Sequence, residues 1–146
     1  MSSNMPFVLS AIACGLVGMV AFSAGYSRAE SEKPAPRLYE LRIYTTEPGR
    51  LPALHARFRD HTIRLFEKHG MQNGMYWAPT YEKLKDNTLI YVISHASPEA
   101  AKKSWDDFIN DEEWKKVRDE SEKDGKIVAK VERQYMTLTD YSPVSK

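Results

Sequence analysis

Cysteine is nearly missing from this chain of 146 residues: a single one, Cys14, stands within an apolar N-terminal run. The folded part therefore has neither disulfide staples nor thiol chemistry, and its stability has to come from core and interface. An excess of either charge is missing too. Lys and Arg number 21 against 20 Asp and Glu, and Arg28 is the sole charged side chain ahead of Glu30. The remainder is balanced, so nucleic acid finds no general electrostatic foothold and is not expected as a partner. Phosphate loops, dinucleotide fingerprints, a Gly-x-Ser-x-Gly elbow and catalytic carboxylate pairs at a readable spacing are all lacking. The sequence thus points to no cofactor, and no catalytic motif settles whether the protein is an enzyme. Histidine is scarce: His55, His61 and His69 point around one helix and His95 ends a strand elsewhere, so no metal site is expected.

What is present begins with residues 5–25, which carry no charge and are followed by small-x-small sites at residues 22–24 and 27–29. Residues 1–29 read as a secretory signal peptide, or as an anchor if left uncleaved, since the run is long enough to span a bilayer. The expected location is exported, periplasmic or extracellular, with membrane contact only in the uncleaved form. Residues 30–37 read as an extended linker stiffened by Pro34 and Pro36. A domain over residues 38–141 and a short tail over 142–146 follow.

Period-two alternation makes residues 38–46 a first strand, with Tyr39, Leu41 and Ile43 on one face and Glu40, Arg42 and Tyr44 on the other. The apolar set is expected inside, with Glu40 and Arg42 facing outward beside Lys130 and Glu132 of the last strand. Pro48 and Gly49 end the strand. Leu51, Leu54, Phe58, His61 and Leu65 then recur at three- and four-residue steps, the mark of an amphipathic helix stopped by Gly70. Residues 71–78 and 88–95 read as a hairpin. Ser97-Pro98-Glu99 starts a second helix with Ala101, Trp105 and Phe108 on one face, and Asp111 caps a further helical segment carrying Trp114, Val117 and Ser121. Residues 127–138 alternate as the last strand, with Ile127, Ala129 and Val131 on one face.

The order strand, helix, strand, strand, helix, strand folds by right-handed crossovers into a ferredoxin-like βαββαβ unit, an α+β fold with an antiparallel sheet. Helices cover one face of such a sheet. Yet Leu89, Tyr91 and Ile93 point one way while Ile90 and Val92 point the other, so the third strand is apolar on both sides and calls for cover on both. No element remains to supply it, and a homodimer with facing sheets is the expected solution.

Tyr39-Glu40-Leu41-Arg42, then Tyr44, Pro48-Gly49 and the run FRDHTIRLFEKHG from Phe58 to Gly70, together resemble the NIPSNAP domain family. Trp105, Phe108 and the Asp-Glu-Glu-Trp run ending at Trp114 resemble that family's second-helix signature, although Glu112 or Glu113 stands where proline is more usual. The resemblance implies a ferredoxin-like subunit that forms a dimeric α+β barrel. Related barrels include cofactor-independent monooxygenases, but a shared fold does not transfer an activity.

Among polar residues, the helical phase places His61 with Leu54, Phe58 and Leu65 toward the sheet. There it is either a donor or general base lining a cavity, or a core histidine satisfied by a tyrosine hydroxyl or a carbonyl. Tyr39, Tyr76, Trp77, Tyr91, Trp105 and Phe108 are read either as the lining of an apolar pocket or as ordinary core packing. The sequence therefore supports an exported homodimer binding a small, largely apolar molecule between sheet and helices. The alternatives are a cofactor-independent monooxygenase or isomerase using His61 as its base, and a structural or interaction protein of the cell envelope.

Overall fold

The computed structural model describes residues 36–143. The signal segment and most of the linker lie outside these residues, as do the last three residues of the tail. The chain forms β1 (Leu38–Thr46), α1 (Leu51–Arg57), a π-helical turn (Phe58–Thr62), α2 (Ile63–Lys68), β2 (Gln72–Trp77), β3 (Thr88–His95), α3 (Pro98–Asn110), α4 (Glu112–Ser121) and β4 (Val128–Met136). All strand pairings are antiparallel, in the order β2-β3-β1-β4. This is the ferredoxin-like arrangement expected from the alternation of strands and helices. Among the described residues, no helix is long and apolar enough to cross a membrane.

Local chemistry explains the boundaries. The Ser97 hydroxyl accepts from the Ala100 N–H at 3.1 Å, and Pro98 opens α3 where its missing N–H costs nothing. Asp111 accepts from the N–H groups of Glu113 and Trp114 and so caps α4. Gly70 ends α2 at a φ of +77°, a conformation that a side chain would strain. Gly74 has a different reason: a Cβ there would sit 2.6 Å from the Val92 carbonyl oxygen. The two strands approach closely at this point, where their register shifts between Asn73 and Tyr76.

Asp111 also accepts from Lys68 Nζ at 2.7 Å and lies 2.6 Å from His69 Nε2, tying the end of α2 to the start of α4. The Lys68 ammonium, the His69 ring and the two backbone donors outweigh partial burial and hold the carboxyl below its ordinary value of 3.8. Its contribution is therefore complete above that value and declines as the pH falls below it. Asp111→Ala is expected to cost about 1–2 kcal/mol in denaturant unfolding at neutral pH, the worth of a strong N-cap. A loss under about 0.3 kcal/mol would show that the cap contributes nothing.

The face of β1 turned toward the helices is the reverse of the one expected. Cross-strand neighbours share a face, and Glu40, Arg42 and Tyr44 stand opposite Ile93, Tyr91 and Leu89, all buried under the helices. Tyr39, Leu41 and Ile43 lie on the other side, with Val92 and Ile90 opposite Leu41 and Ile43. Lys130 and Glu132 pair with Thr45 and Ile43 and so occupy the face away from Glu40 and Arg42. In β4, Ala129 is an extra residue: Thr45 pairs with Lys130 but Thr46 with Val128. This bulge puts Val128 and Val131 on one side and undoes the expected alternation of Ile127, Ala129 and Val131.

Tyr91, fully buried, is the centre of the core. Tyr76 stacks on it at 5.2 Å, and Tyr44, Phe58 and Phe66 surround it at 5.2–6.0 Å. Phe66 passes the contact on to Phe108 and Trp105, and Phe108 to Trp114. Such edge and offset contacts add about 0.5–1.5 kcal/mol per pair beyond area burial. These rings fill the space between the middle of the sheet and its helices.

A candidate ligand groove above a buried carboxylate

The N-cap and first-turn proline of α3 set its rotation. Ala101, Ser104 and Phe108 are buried, which turns Pro98, Lys102, Trp105, Asp106 and Ile109 to the adjoining side at three- and four-residue spacing. There α3 overlooks β4, whose Arg133 and Tyr135 stand opposite Arg42 and Glu40 on the same sheet face. This edge strand is left open by the helices, and Val131, Tyr135 and Ile109 are 42%, 47% and 53% exposed. The result is a groove of about 560 Å3 lined by Leu38, Pro98, Lys102, Trp105, Asp106, Ile109, Arg133 and Tyr135.

Beneath Trp105 lies a polar cluster. Glu40 is fully buried, and its Oε2 accepts from Trp105 Nε1 at 2.7 Å and from His95 Nε2 at 2.9 Å. Arg42 Nε lies 3.5 Å from the other carboxylate oxygen, and its guanidinium stacks 4.0 Å from the centre of the Trp105 ring. Burial alone would raise the Glu40 pKa, but the His95 and Trp105 hydrogen bonds and the Arg42 charge outweigh it, leaving it below the ordinary 4.5. An ionised carboxylate only accepts, so His95 donates from Nε2. Satisfaction is incomplete: Glu40 Oε1, Arg42 Nε and His95 Nδ1 have no hydrogen-bond partner of good geometry. The cluster fixes Trp105 and Arg42, and through them the inner wall of the groove.

Of the site residues expected from sequence, Trp105 alone lines this groove. Tyr76, Tyr91 and Phe108 belong to the aromatic core. Burial pushes the Tyr91 hydroxyl pKa well up, and raises that of Tyr76. Tyr39 and Trp77 lie on the far face of the sheet, Trp77 opposite Ile90 and 43% exposed.

His61 is exposed, contrary to its expected place facing the core. The cause is the π-helical turn, in which the Ile63 N–H donates to the Phe58 carbonyl five residues back. Each residue of a wider turn advances by less than an α-helical step, so Thr62 takes the inward position and His61 swings out. Thr62 is 1% exposed, and its hydroxyl donates to the Arg57 carbonyl at 3.1 Å. Among the described residues, no group of three or more His, Cys, Asp or Glu is placed to hold a metal ion.

Sequence reading missed Glu40, Arg42, His95, Lys102, Asp106, Ile109, Arg133 and Tyr135. Glu40 and Arg42 stand within the Tyr-Glu-Leu-Arg run, and charged residues inside a strand motif were the available signal. The others are scattered along α3 and two strands and meet only through the sheet register.

Several solved structures share this fold. A NIPSNAP family protein of unknown function from Agrobacterium tumefaciens is 18% identical, with a TM-score of 0.64 over 75% of this chain and 94% of its own. SnoaB, a cofactor-independent oxygenase from Streptomyces nogalater, is 11% identical, with a TM-score of 0.51 over 75% of this chain and 99% of its own. A monooxygenase from the ActVA-Orf6 gene of Streptomyces coelicolor, solved with nanaomycin D, is 13% identical, with a TM-score of 0.53 over 78% and 97%. No curated protein matches the chain in sequence. The NIPSNAP family model matches residues 39–143, the whole sheet and all its helices, and the chain belongs to the NIPSNAP family.

Proposed function

We propose that this NIPSNAP protein is an exported homodimer that binds a small, largely apolar molecule in the groove between α3 and β4. The observation that carries the reading is the groove itself, about 560 Å3 in volume and walled by Leu38, Pro98, Trp105, Ile109 and Tyr135. A concave, mostly apolar surface with a few convergent polar groups is the usual form of a ligand site. Export rests on the uncharged run at residues 5–25. Pairing rests on the far face of the sheet, where Tyr39, Leu41, Ile43, Ile90, Val92 and Trp77 make an apolar surface that no helix among the described residues covers.

Phenylnaphthylamine, a neutral dye that fluoresces on leaving water, tests the groove. It is expected to bind the purified protein, and Ile109→Glu is expected to weaken binding by about tenfold or more, since a carboxylate would then stand in the apolar wall. Ile109 is 53% exposed, so the variant is expected to fold. Equal binding to both proteins would place the dye elsewhere and defeat the reading.

A second reading, a cofactor-independent oxygenase, is favoured by the fold shared with SnoaB and the ActVA-Orf6 monooxygenase. His61 is exposed at the π-helical turn and does not line the groove, so this reading takes another base. Among the groove's lining residues the carboxylate is Asp106. Oxygen uptake above the spontaneous rate with an oxidisable naphthalenediol, which supplies the electrons and becomes the quinone, would support this reading if it is lost in Asp106→Asn. Its absence with every such compound would leave binding alone.

A further inference from the structure

Arg42 and Arg133 stand directly opposite one another on neighbouring antiparallel strands, on the face that floors the groove. Like charges in that position repel. Arg42 has Glu40 as its counterion within the buried cluster, although its Nε makes no hydrogen bond. Arg133 has no hydrogen bond or ion pair among the described residues, yet it lines the groove. The remaining charges there, Lys102 and Asp106, face each other at 3.8 Å and offset one another. The floor is therefore left with one uncompensated guanidinium beside a second that is pinned by stacking on Trp105.

We infer that the groove takes an amphipathic anion: an apolar, aromatic-sized body carrying one carboxylate or sulfonate. The anionic head sits at Arg133, on the side next to Arg42, and the body lies along Trp105, Tyr135 and Ile109. Guanidinium is suited to this role because its planar fork meets two oxygens of one oxyanion. Binding also relieves the repulsion between the two arginines, so the anion gains where a neutral molecule of the same shape does not. The inference rests on the groove reading above and adds the chemistry of the ligand.

Two dyes that differ chiefly in one sulfonate separate the two statements. Anilinonaphthalene sulfonate is expected to bind the wild-type protein about tenfold more tightly than phenylnaphthylamine, the worth of one charge-assisted contact. Arg133→Gln is expected to remove that preference while leaving the neutral dye within about twofold of its wild-type affinity. Lys103→Gln, at an exposed lysine that pairs with Asp107 and does not line the groove, is expected to leave the preference in place. Equal affinities in the wild type, or a preference that survives Arg133→Gln, would overturn the anion assignment and leave the groove reading standing. Failure of both dyes to bind, or binding of the neutral dye that Ile109→Glu does not weaken, would overturn both.

Discussion

Glu40→Ala is expected to destabilise the protein by about 3–5 kcal/mol, because it removes one partner from a buried ionic cluster and strands the others. Trp105 Nε1 and His95 Nε2 would lose their acceptor, and Arg42 its counterion, at a position where Glu40 and His95 are fully buried. Glu40→Gln retains the shape and an acceptor oxygen but not the charge, so an intermediate cost of about 1–3 kcal/mol is expected. Denaturant unfolding of the three proteins tests the order. A loss under about 1 kcal/mol for Glu40→Ala would mean that the cluster is not what holds α3 against the sheet.

The same carboxylate carries an acid signature. Its folded-state pKa lies below 4.5, so its contribution is whole above that value and is lost as the pH falls through the folded value. The stability of the wild type is therefore expected to fall faster below pH 4.5 than that of Glu40→Gln. Parallel curves would assign the acid sensitivity to other carboxylates, Asp111 among them.

On the proposed sheet-to-sheet pairing, Leu41→Asp is expected to convert the dimer into a monomer, with the mass from light scattering falling by half and the far-ultraviolet circular dichroism unchanged. Leu41 stands at the middle of the sheet face that no helix among the described residues covers, opposite Val92 on one side and Gln134 on the other. A carboxylate there meets water in a single subunit but an apolar surface in a face-to-face pair, where leaving it unpaired costs several kcal/mol. A wild-type protein that is monomeric at micromolar concentration, or a variant that stays dimeric, would refute sheet-to-sheet pairing. It would leave the groove reading untouched, since Arg133 and Tyr135 of the groove lie on the opposite face of the sheet from Leu41.

Much of the fold is legible in the chain because its signals are local. The run 88–95 is rich in β-branched and aromatic residues and is bounded by turn residues, Ser97 and Asp111 announce the two helices they cap, and Gly70 stops α2; each involves residues a few positions apart. The inverted face of β1 is not local. Two alternating sets, Tyr39-Leu41-Ile43 and Glu40-Arg42-Tyr44, fit a strand equally well, and a shift of one residue in register exchanges them. The usual preference for apolar residues inside chooses wrongly, because here both sides of the sheet are apolar and the polar set brings its own partners.

The sequence by itself determined the order of elements, the caps, the helix stops and the family, all of which depend on short-range pattern. Only the tertiary structure decided that Glu40 meets His95 and Trp105 across separations of 55 and 65 residues. It likewise decided that Arg133 comes to lie beside Arg42 and that His61 leaves the core. The reason is physical: strand register and a π-helical turn are set by the packing of the whole sheet against its helices, and neither leaves a periodic mark in the residues that it moves.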